Sequence, residues 1–536
     1  MIRSIVFLSL IFPFLYKYSF VSSNQYEQIP IILRFISGNY LVNDWFLNTA
    51  SKFGPRYFFS VYMAGLNQIT NLPVIFFFHF VVTVFLISQA TYKLSDSIAK
   101  DHLSSILTVI VILFGQTFSL GGNILVTGDF TVTQLSLAFS LLAISCLFRD
   151  KILLSSLLYI ISAYFHPLIG FESFFIFNTS YFVYLTVTGL KKNIPDLLKR
   201  GILPFFIICI PLIYLYGALP ADNIPGVLKI QIPAMMRGRH HYLPTAYPLA
   251  DYLMFFLFLA ISLLGFIKFK RYWPGKIKIL TYSAVAICTA LIILGSFSLY
   301  FYPLYLPVVM QPFRLTIYVY WLLMTGLTTV IFNGIKNNKL PSYLAIIPVF
   351  LPVAGKITGS GKAGLAAVFL GFLFILFYNR TGKTALTALF LIYFSLWRYH
   401  GKFNFSNYYQ FRDQETEIEE YIRGNTPADA VFLVPPDLEK FRLVAGRAIV
   451  ADWKSFPFHP GDYYQWYKRM CLLGNISKCP ADKISFEEII LGYQNHSISS
   501  ITALARLYKA DYIVSPVFYR SLPAVFNNRY YLYKIN

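Results

Sequence analysis

Apolar runs separated by short polar loops fill the chain from its start to about residue 400, and alternation of apolar and polar positions replaces them afterwards. A run of about twenty apolar residues is long enough to cross a bilayer as a helix. Thirteen such spans are predicted, at about 4–22, 73–92, 103–120, 130–148, 152–169, 171–190, 200–219, 249–267, 279–297, 313–332, 341–356, 363–378 and 384–398. The stretch 23–72 interrupts the series. It holds two amphipathic segments, 28–37 and 57–69, of the kind that lie along a membrane surface. Between them sits Asn39-Tyr40-Leu41-Val42-Asn43-Asp44-Trp45-Phe46, whose one carboxylate is Asp44. From residue 403 onward, strands are predicted at 430–434, 447–452, 512–514 and 530–535, with helices at 413–423, 463–473, 486–493 and 498–508. Strands and helices in turn predict an α/β domain with a mostly parallel sheet. The expected division is therefore a transmembrane domain, 1–402, with its first outer loop at 23–72, and an α/β domain, 403–536.

Composition strengthens this picture. The chain of 536 residues is 57% hydrophobic and 13% charged, with mean hydropathy +0.58, more apolar surface than a soluble domain can hide. A formal charge of +21 invites a nucleic-acid reading, which the distribution removes: residues 1–402 hold 30 Lys+Arg against 10 Asp+Glu, and residues 403–536 hold 15 against 14. The excess lies in short loops between spans. With the N-terminus cytoplasmic, the dense basic clusters around Lys93, Arg149, Lys191, Lys268, Lys336 and Arg380 all fall inside, as the positive-inside rule requires, with Lys356 and Lys362 the exceptions. The same parity puts the Asp44 loop, the Gly121-Gly122 turn, His166, the loop 220–248, Arg314 and the whole C-terminal domain outside. The first segment reads as a retained helix; cleavage as a signal peptide would leave the downstream topology unchanged.

Candidate chemistry gathers on that outer face. Asp44 and Asp129 precede helical runs and read equally as N-caps; Glu172, an acid just inside a span, marks a partner or a site. Met235-Met236-Arg237-Gly238-Arg239-His240-His241-Tyr242 sets two arginines and two histidines beside an aromatic, and Arg314 follows Gln311-Pro312-Phe313 at the end of a later span. Guanidinium forks and imidazoles suit a phosphate; the plainer reading is a loop that meets anionic headgroups. Cys471 and Cys479 are expected to pair as a disulfide, whereas Cys146, Cys209 and Cys288 are apolar fillers inside spans. No CxxC or HExxH occurs.

The long first loop with its Asp44, the many spans and the C-terminal α/β domain resemble the GT-C class of polyprenyl-phosphate-dependent membrane glycosyltransferases. His166-Pro167-Leu168-Ile169-Gly170, the stretch from Arg237 to Pro244, and Phe441-Arg442 through Asp452-Trp453-Lys454 are similar to an uncharacterised bacterial GT-C-like group. The resemblance implies inverting transfer of a sugar from a polyprenyl-phosphate or pyrophosphate carrier to a lipid, glycan or protein acceptor, at the outer face of the plasma membrane. It makes Asp44 the general base towards the acceptor hydroxyl or a metal ligand; the residues themselves offer Arg237, Arg239, His240, His241 and Arg314 as the phosphate clamp, Asp129 or Glu172 as a second acid, and Trp45, His166 and Tyr242 as substrate-lining residues. No Asp-x-Asp accompanies Asp44, so no metal site is expected, although Asp129 or Glu172 converging on Asp44 would permit a divalent ion. The competing classes are a flippase of lipid-linked glycans, which needs no base, and a non-catalytic envelope-assembly protein. Mid-span charge and an internal repeat, which would favour transport, are not evident.

Overall fold

The computed structural model describes residues 2–16, 18–115, 117, 119–218, 224–301, 304–305, 309–337, 339–340 and 415–535. The predicted spans at 341–356, 363–378 and 384–398 lie outside them. Two compact units emerge from the contacts: Met1–Tyr18, Phe78–Ile213 and His240–Asn404 form a helical unit, while Ser19–Phe77, Tyr214–Arg239 and Phe405–Asn536 form a unit built on a sheet. The first loop thus belongs with the C-terminal domain, a grouping that a linear boundary at 402 does not show.

In the helical unit, six helices among the described residues have the length and apolar composition to cross a membrane: Leu72–Ala99, Pro167–Val187, Lys191–Gly217, Leu249–Lys268, Gly275–Tyr300 and Pro312–Lys336. Four further predicted spans are shorter apolar helices, Ile2–Leu15, His102–Phe114, Val132–Phe148 and Ile152–Phe165. The chain is a polytopic helical membrane protein. Lipid offers no hydrophobic drive between helices, so small residues and hydroxyls hold them together. Ser140 Oγ lies 2.8 Å from both Ser162 Oγ and Ser173 Oγ, and Ser136 Oγ lies 2.7 Å from Ser162 Oγ, which joins three consecutive helices. Gly170 lets two of them touch: a Cβ there would lie 2.3 Å from the backbone nitrogen of Ala163. A second set of hydroxyls ties Pro312–Lys336 to Leu72–Ala99, with Trp321 Nε1 donating to Thr91 Oγ1 at 3.0 Å and Thr329 Oγ1 to Ser95 Oγ at 2.7 Å.

The second unit carries a five-stranded sheet of order β2-β1-β3-β5-β4, with β1 Val431–Leu433, β2 Ala448–Ile449, β3 Tyr512–Ser515, β4 Ala524–Asn527 and β5 Tyr531–Lys534. β1 runs parallel to β2 and β3, while β5 is antiparallel to both β3 and β4. The sheet is therefore mixed rather than mostly parallel. Helices Thr416–Asn425, Pro460–Leu473, Phe486–Gln494 and Ile498–Leu507 match the predicted ones. Trp466, Met470, Ile489, Tyr493, Ile501 and Ile513 share one core cluster, and Ile232 and Met236 from the 214–239 segment join it. Cys471 and Cys479 are joined by a disulfide across a Cα separation of 5.9 Å.

Candidate functional site

Asp44 starts the short helix Trp45–Ala50, where its Oδ1 accepts from the Leu47 N–H at 2.9 Å. That is the capping role its position before Trp45-Phe46-Leu47 suggests. Its Oδ2 accepts from Arg442 Nε at 2.7 Å and from the Ile449 N–H at 3.0 Å. Arg442 also donates Nη1 to Asp452 and to Ser455 Oγ, and its guanidinium lies 5.1 Å from the Phe46 ring centroid. Asp44 and Asp452 are fully buried, and Arg442 is 1% exposed. Burial alone would lower the Arg442 guanidinium, but the two carboxylates outweigh it and hold it above its ordinary value. Tyr40 Oη donates to the Arg442 carbonyl at 2.9 Å and Asn43 Nδ2 to the Asp429 carbonyl at 2.7 Å, so the first loop is pinned beside Asp44 as well.

These contacts set an anchoring role for Asp44 against the general-base expectation. A base must present a lone pair within reach of the substrate hydroxyl. Asp44 instead spends both oxygens on a helix cap, a backbone N–H and a buried cation, and is an anchor between loop and domain. The partner residues Arg442 and Asp452 went without a role in the sequence reading. The available signal was a charge placed inside apolar strings, Phe441-Arg442-Leu443-Val444 and Ile449-Val450-Ala451-Asp452-Trp453, where a lone charge needs a partner.

The five expected clamp residues divide between the units. His240, His241 and Arg314 belong to the helical unit, and three segments bring the last two together. Arg314 Nη2 lies 2.7 Å from His241 Nε2, and His241 Nδ1 lies 2.6 Å from the Gly121 carbonyl. A guanidinium only donates, so Nε2 accepts and Nδ1 carries the proton that goes to Gly121. The Gly-Gly turn has φ of +83° and +68°, and a Cβ on Gly121 would lie 2.5 Å from the Phe313 carbonyl carbon; both conditions require glycine. Thr316 Oγ1 donates to the Leu120 carbonyl at 2.8 Å and Gly121 N–H to Tyr247 Oη at 2.6 Å, which fix turn, loop and helix start. His240 is exposed beside His241, at a ring separation of 3.8 Å.

Tyr242 is 7% exposed and accepts from Gln311 Nε2 at 3.0 Å. Burial pushes its phenol up to about 12 against the pull of Arg314. Glu172 is buried, within electrostatic range of Arg314, and its Oε1 has no hydrogen-bond partner among the described residues. Asp129, 8% exposed, does not cap the following helix; Thr131 does, accepting from the Gln134 N–H at 3.3 Å. His166 stands at the turn between Ile152–Phe165 and Pro167–Val187.

Arg237 and Arg239 fall in the other unit. Arg237 donates to the Lys454 carbonyl at 3.3 Å with its guanidinium 5.9 Å from the Trp453 ring, and burial pulls it below its ordinary value against the opposing charges of Glu27, Glu439 and Asp452. Arg239 is exposed. Trp45 is half-buried with Arg469 stacked 4.3 Å from its centroid. Among the described residues no three His, Cys, Asp or Glu side chains gather as a metal site.

A family model described as a domain of unknown function, DUF6798, matches residues 413–473, the stretch that carries Arg442, Asp452 and Arg469. No curated protein matches the chain at a significant level. Among solved structures, the chain is similar to ArnT from Cupriavidus metallidurans in the apo state, with TM-score 0.53 and 10% identity over 99% of this chain and 97% of that one. The same ArnT bound to undecaprenyl phosphate aligns with TM-score 0.47 and 10% identity, over 99% and 97%. The archaeal oligosaccharyltransferase AglB from Archaeoglobus fulgidus, in complex with an inhibitory peptide and a dolichol-phosphate, aligns with TM-score 0.46 and 11% identity, over 96% of this chain and 69% of that one. The fold is GT-C-like across nearly the whole chain.

Proposed function

We propose that the protein is a membrane glycosyltransferase that moves a sugar from a polyprenyl-phosphate or pyrophosphate carrier to an acceptor at the outer face of the plasma membrane. The observation that carries this reading is the Arg314–His241–Gly121 platform inside a GT-C-like fold: a cation, an imidazole in one tautomer and a rigid glycine turn at the end of a buried helix. A lipid phosphate is already a good leaving group, so its departure calls for preorganised positive charge more than for a proton. Arg314 supplies that charge, and His241 orients it while exposed His240 adds a donor. The apolar helices accommodate the isoprenoid chain. Direct attack by the acceptor then inverts the anomeric centre.

With Asp44 committed to Arg442, the proton of the acceptor hydroxyl passes in this reading to Glu172, which is buried in the structure and takes this role once acceptor binding uncovers it. It is chosen over Asp129 because its Oε1 is unengaged among the described residues and Arg314 lies within its electrostatic range. An ionisable residue inside a span is a functional candidate by default. A divalent metal is not favoured.

The test follows sugar transfer by the purified protein in lipid from a panel of polyprenyl-phosphate sugars, with and without chelator, wild type beside Glu172→Gln. The reading expects wild-type turnover that resists chelation and a loss of about 10²–10⁴-fold in the variant with donor binding retained. Donor translocation without transfer would replace it with the flippase reading.

A further inference from the structure

A cavity of about 790 Å³ opens in the sheet-bearing unit, within the roughly 300–1,000 Å³ range of small-molecule sites. It lies where β1 and β3 begin and β5 ends, and the first loop closes one side. We propose that this cavity binds an acidic saccharide, a sugar chain bearing carboxylates. The inference stands whether or not the helical unit transfers a sugar.

The lining has the parts that carbohydrate recognition requires. Trp45 and Tyr508 provide aromatic surface, and Arg469 is stacked between them at 4.3 and 4.5 Å from their centroids with Nη1 donating to the Val450 carbonyl at 2.9 Å. This cation is fixed before any ligand arrives. The amides at the mouth are held in place by the protein, Asn43 Nδ2 donating to the Asp429 carbonyl at 2.7 Å and Asn48 Nδ2 to the Val42 carbonyl at 2.8 Å, so they shape the rim rather than supply free donors.

Charge then selects among sugars. Arg469, Lys509 and Lys534 line the cavity against two carboxylates, Asp429 and Asp511, which leaves a formal +1. Asp511 is already engaged, since its Oδ2 accepts from the Val431 N–H at 2.8 Å. Three separate cations with acids nearby suit carboxylates spaced along a sugar chain better than one compact dianionic phosphate, which concentrates its charge where the aspartates would repel it.

Lys509 adds an independent observation. It follows the helix Ile498–Leu507 at the position where a helix ends in a left-handed residue, with φ +53°. The Ala510 N–H bonds the Ala505 carbonyl at 2.8 Å and the Lys509 N–H the Arg506 carbonyl at 3.1 Å, the pair of bonds that defines such an ending. Glycine is the residue this backbone favours. A lysine there, exposed and on the cavity wall, keeps an unfavourable backbone in exchange for a cation at that point.

The exchange makes the proposal testable apart from folding. Full-length protein in detergent is titrated with tetragalacturonate and with its methyl ester, which has the same rings without the charges. The acidic tetramer is expected to bind about tenfold more tightly than the ester. Lys509→Gly and Lys534→Gln are each expected to weaken it about threefold or more, while Lys509→Gly melts at the same temperature as wild type or higher. Equal binding of acid and ester, no saturable binding, or wild-type affinity in both lysine variants would overturn the proposal.

Discussion

Arg442 has two carboxylates and a serine around it and is buried with them, so its charge is tolerated only while they stay in place. Removing one member of such a buried group costs about 3–5 kcal/mol, because the remaining charge is left uncompensated. Asp44→Asn keeps a capping oxygen and loses the charge. It is expected to destabilise the sheet unit by about that amount, with the loss reduced when Arg442 is also replaced, in a double-mutant cycle read by thermal unfolding. A base that happened to be buried would show the opposite pattern, turnover lost with stability intact. The sequence made Asp44 conspicuous and made its capping legible from Trp45-Phe46-Leu47, but its second partner stands 398 positions away and sends no local signal. His496 offers a separate check. Burial lowers its pKa below the ordinary 6.5, against the hydrogen bonds to the Leu473 and Leu472 carbonyls. Protonation therefore favours the unfolded chain, and this contribution to stability, full above about pH 6.5, is lost as the pH falls toward the folded-state value. His496→Gln is expected to flatten stability between pH 7 and 5, measured as denaturation midpoints.

At the scale of elements, the helices were legible where length and apolarity coincide, and the strands β1, β2, β3 and β5 where buried apolar runs sit between turn residues. β4, Ala524–Asn527, escaped because three of its four residues are exposed and carry no alternation. Helix Lys191–Gly217 begins nine residues before the predicted span at 200, since Lys191 and Lys192 read as loop charges although the backbone continues through a π-helical turn at Leu197–Ile202. Packing between Val132–Phe148, Ile152–Phe165 and Pro167–Val187 rests on a glycine contact and a serine network, and the two are predicted to weigh differently. Ser140→Ala removes hydroxyl bonds worth about 0.6–2 kcal/mol in lipid. Gly170→Ala, the more helix-favouring change, would place a methyl against backbone atoms of Ala163 and is expected to cost more. Unfolding of the two variants in detergent, side by side, checks the order.

For the whole molecule, element order carried the information: an apolar first helix, a long loop with surface helices, a series of spans and a terminal α/β domain. That order survives at 10% identity to ArnT, because a GT-C-like architecture is specified by where apolar runs and loops fall and tolerates replacement of individual residues. What order leaves out is which distant segments meet. The clamp expected from Arg237 to Arg314 divides between two compact units, and only the Arg314–His241 contact forms the platform assigned to the carrier phosphate. The most direct measurement compares donor binding and sugar transfer, per folded molecule, in wild type, Arg314→Gln and Asp44→Asn, with a polyprenyl-phosphate sugar as substrate. Arg314→Gln is expected to lose donor binding and turnover by about 10²-fold or more while melting like wild type, and Asp44→Asn to melt early yet turn over normally below its transition. A wild type that binds no polyprenyl-phosphate donor, or an Arg314→Gln protein that transfers sugar as wild type does, would contradict the transferase reading.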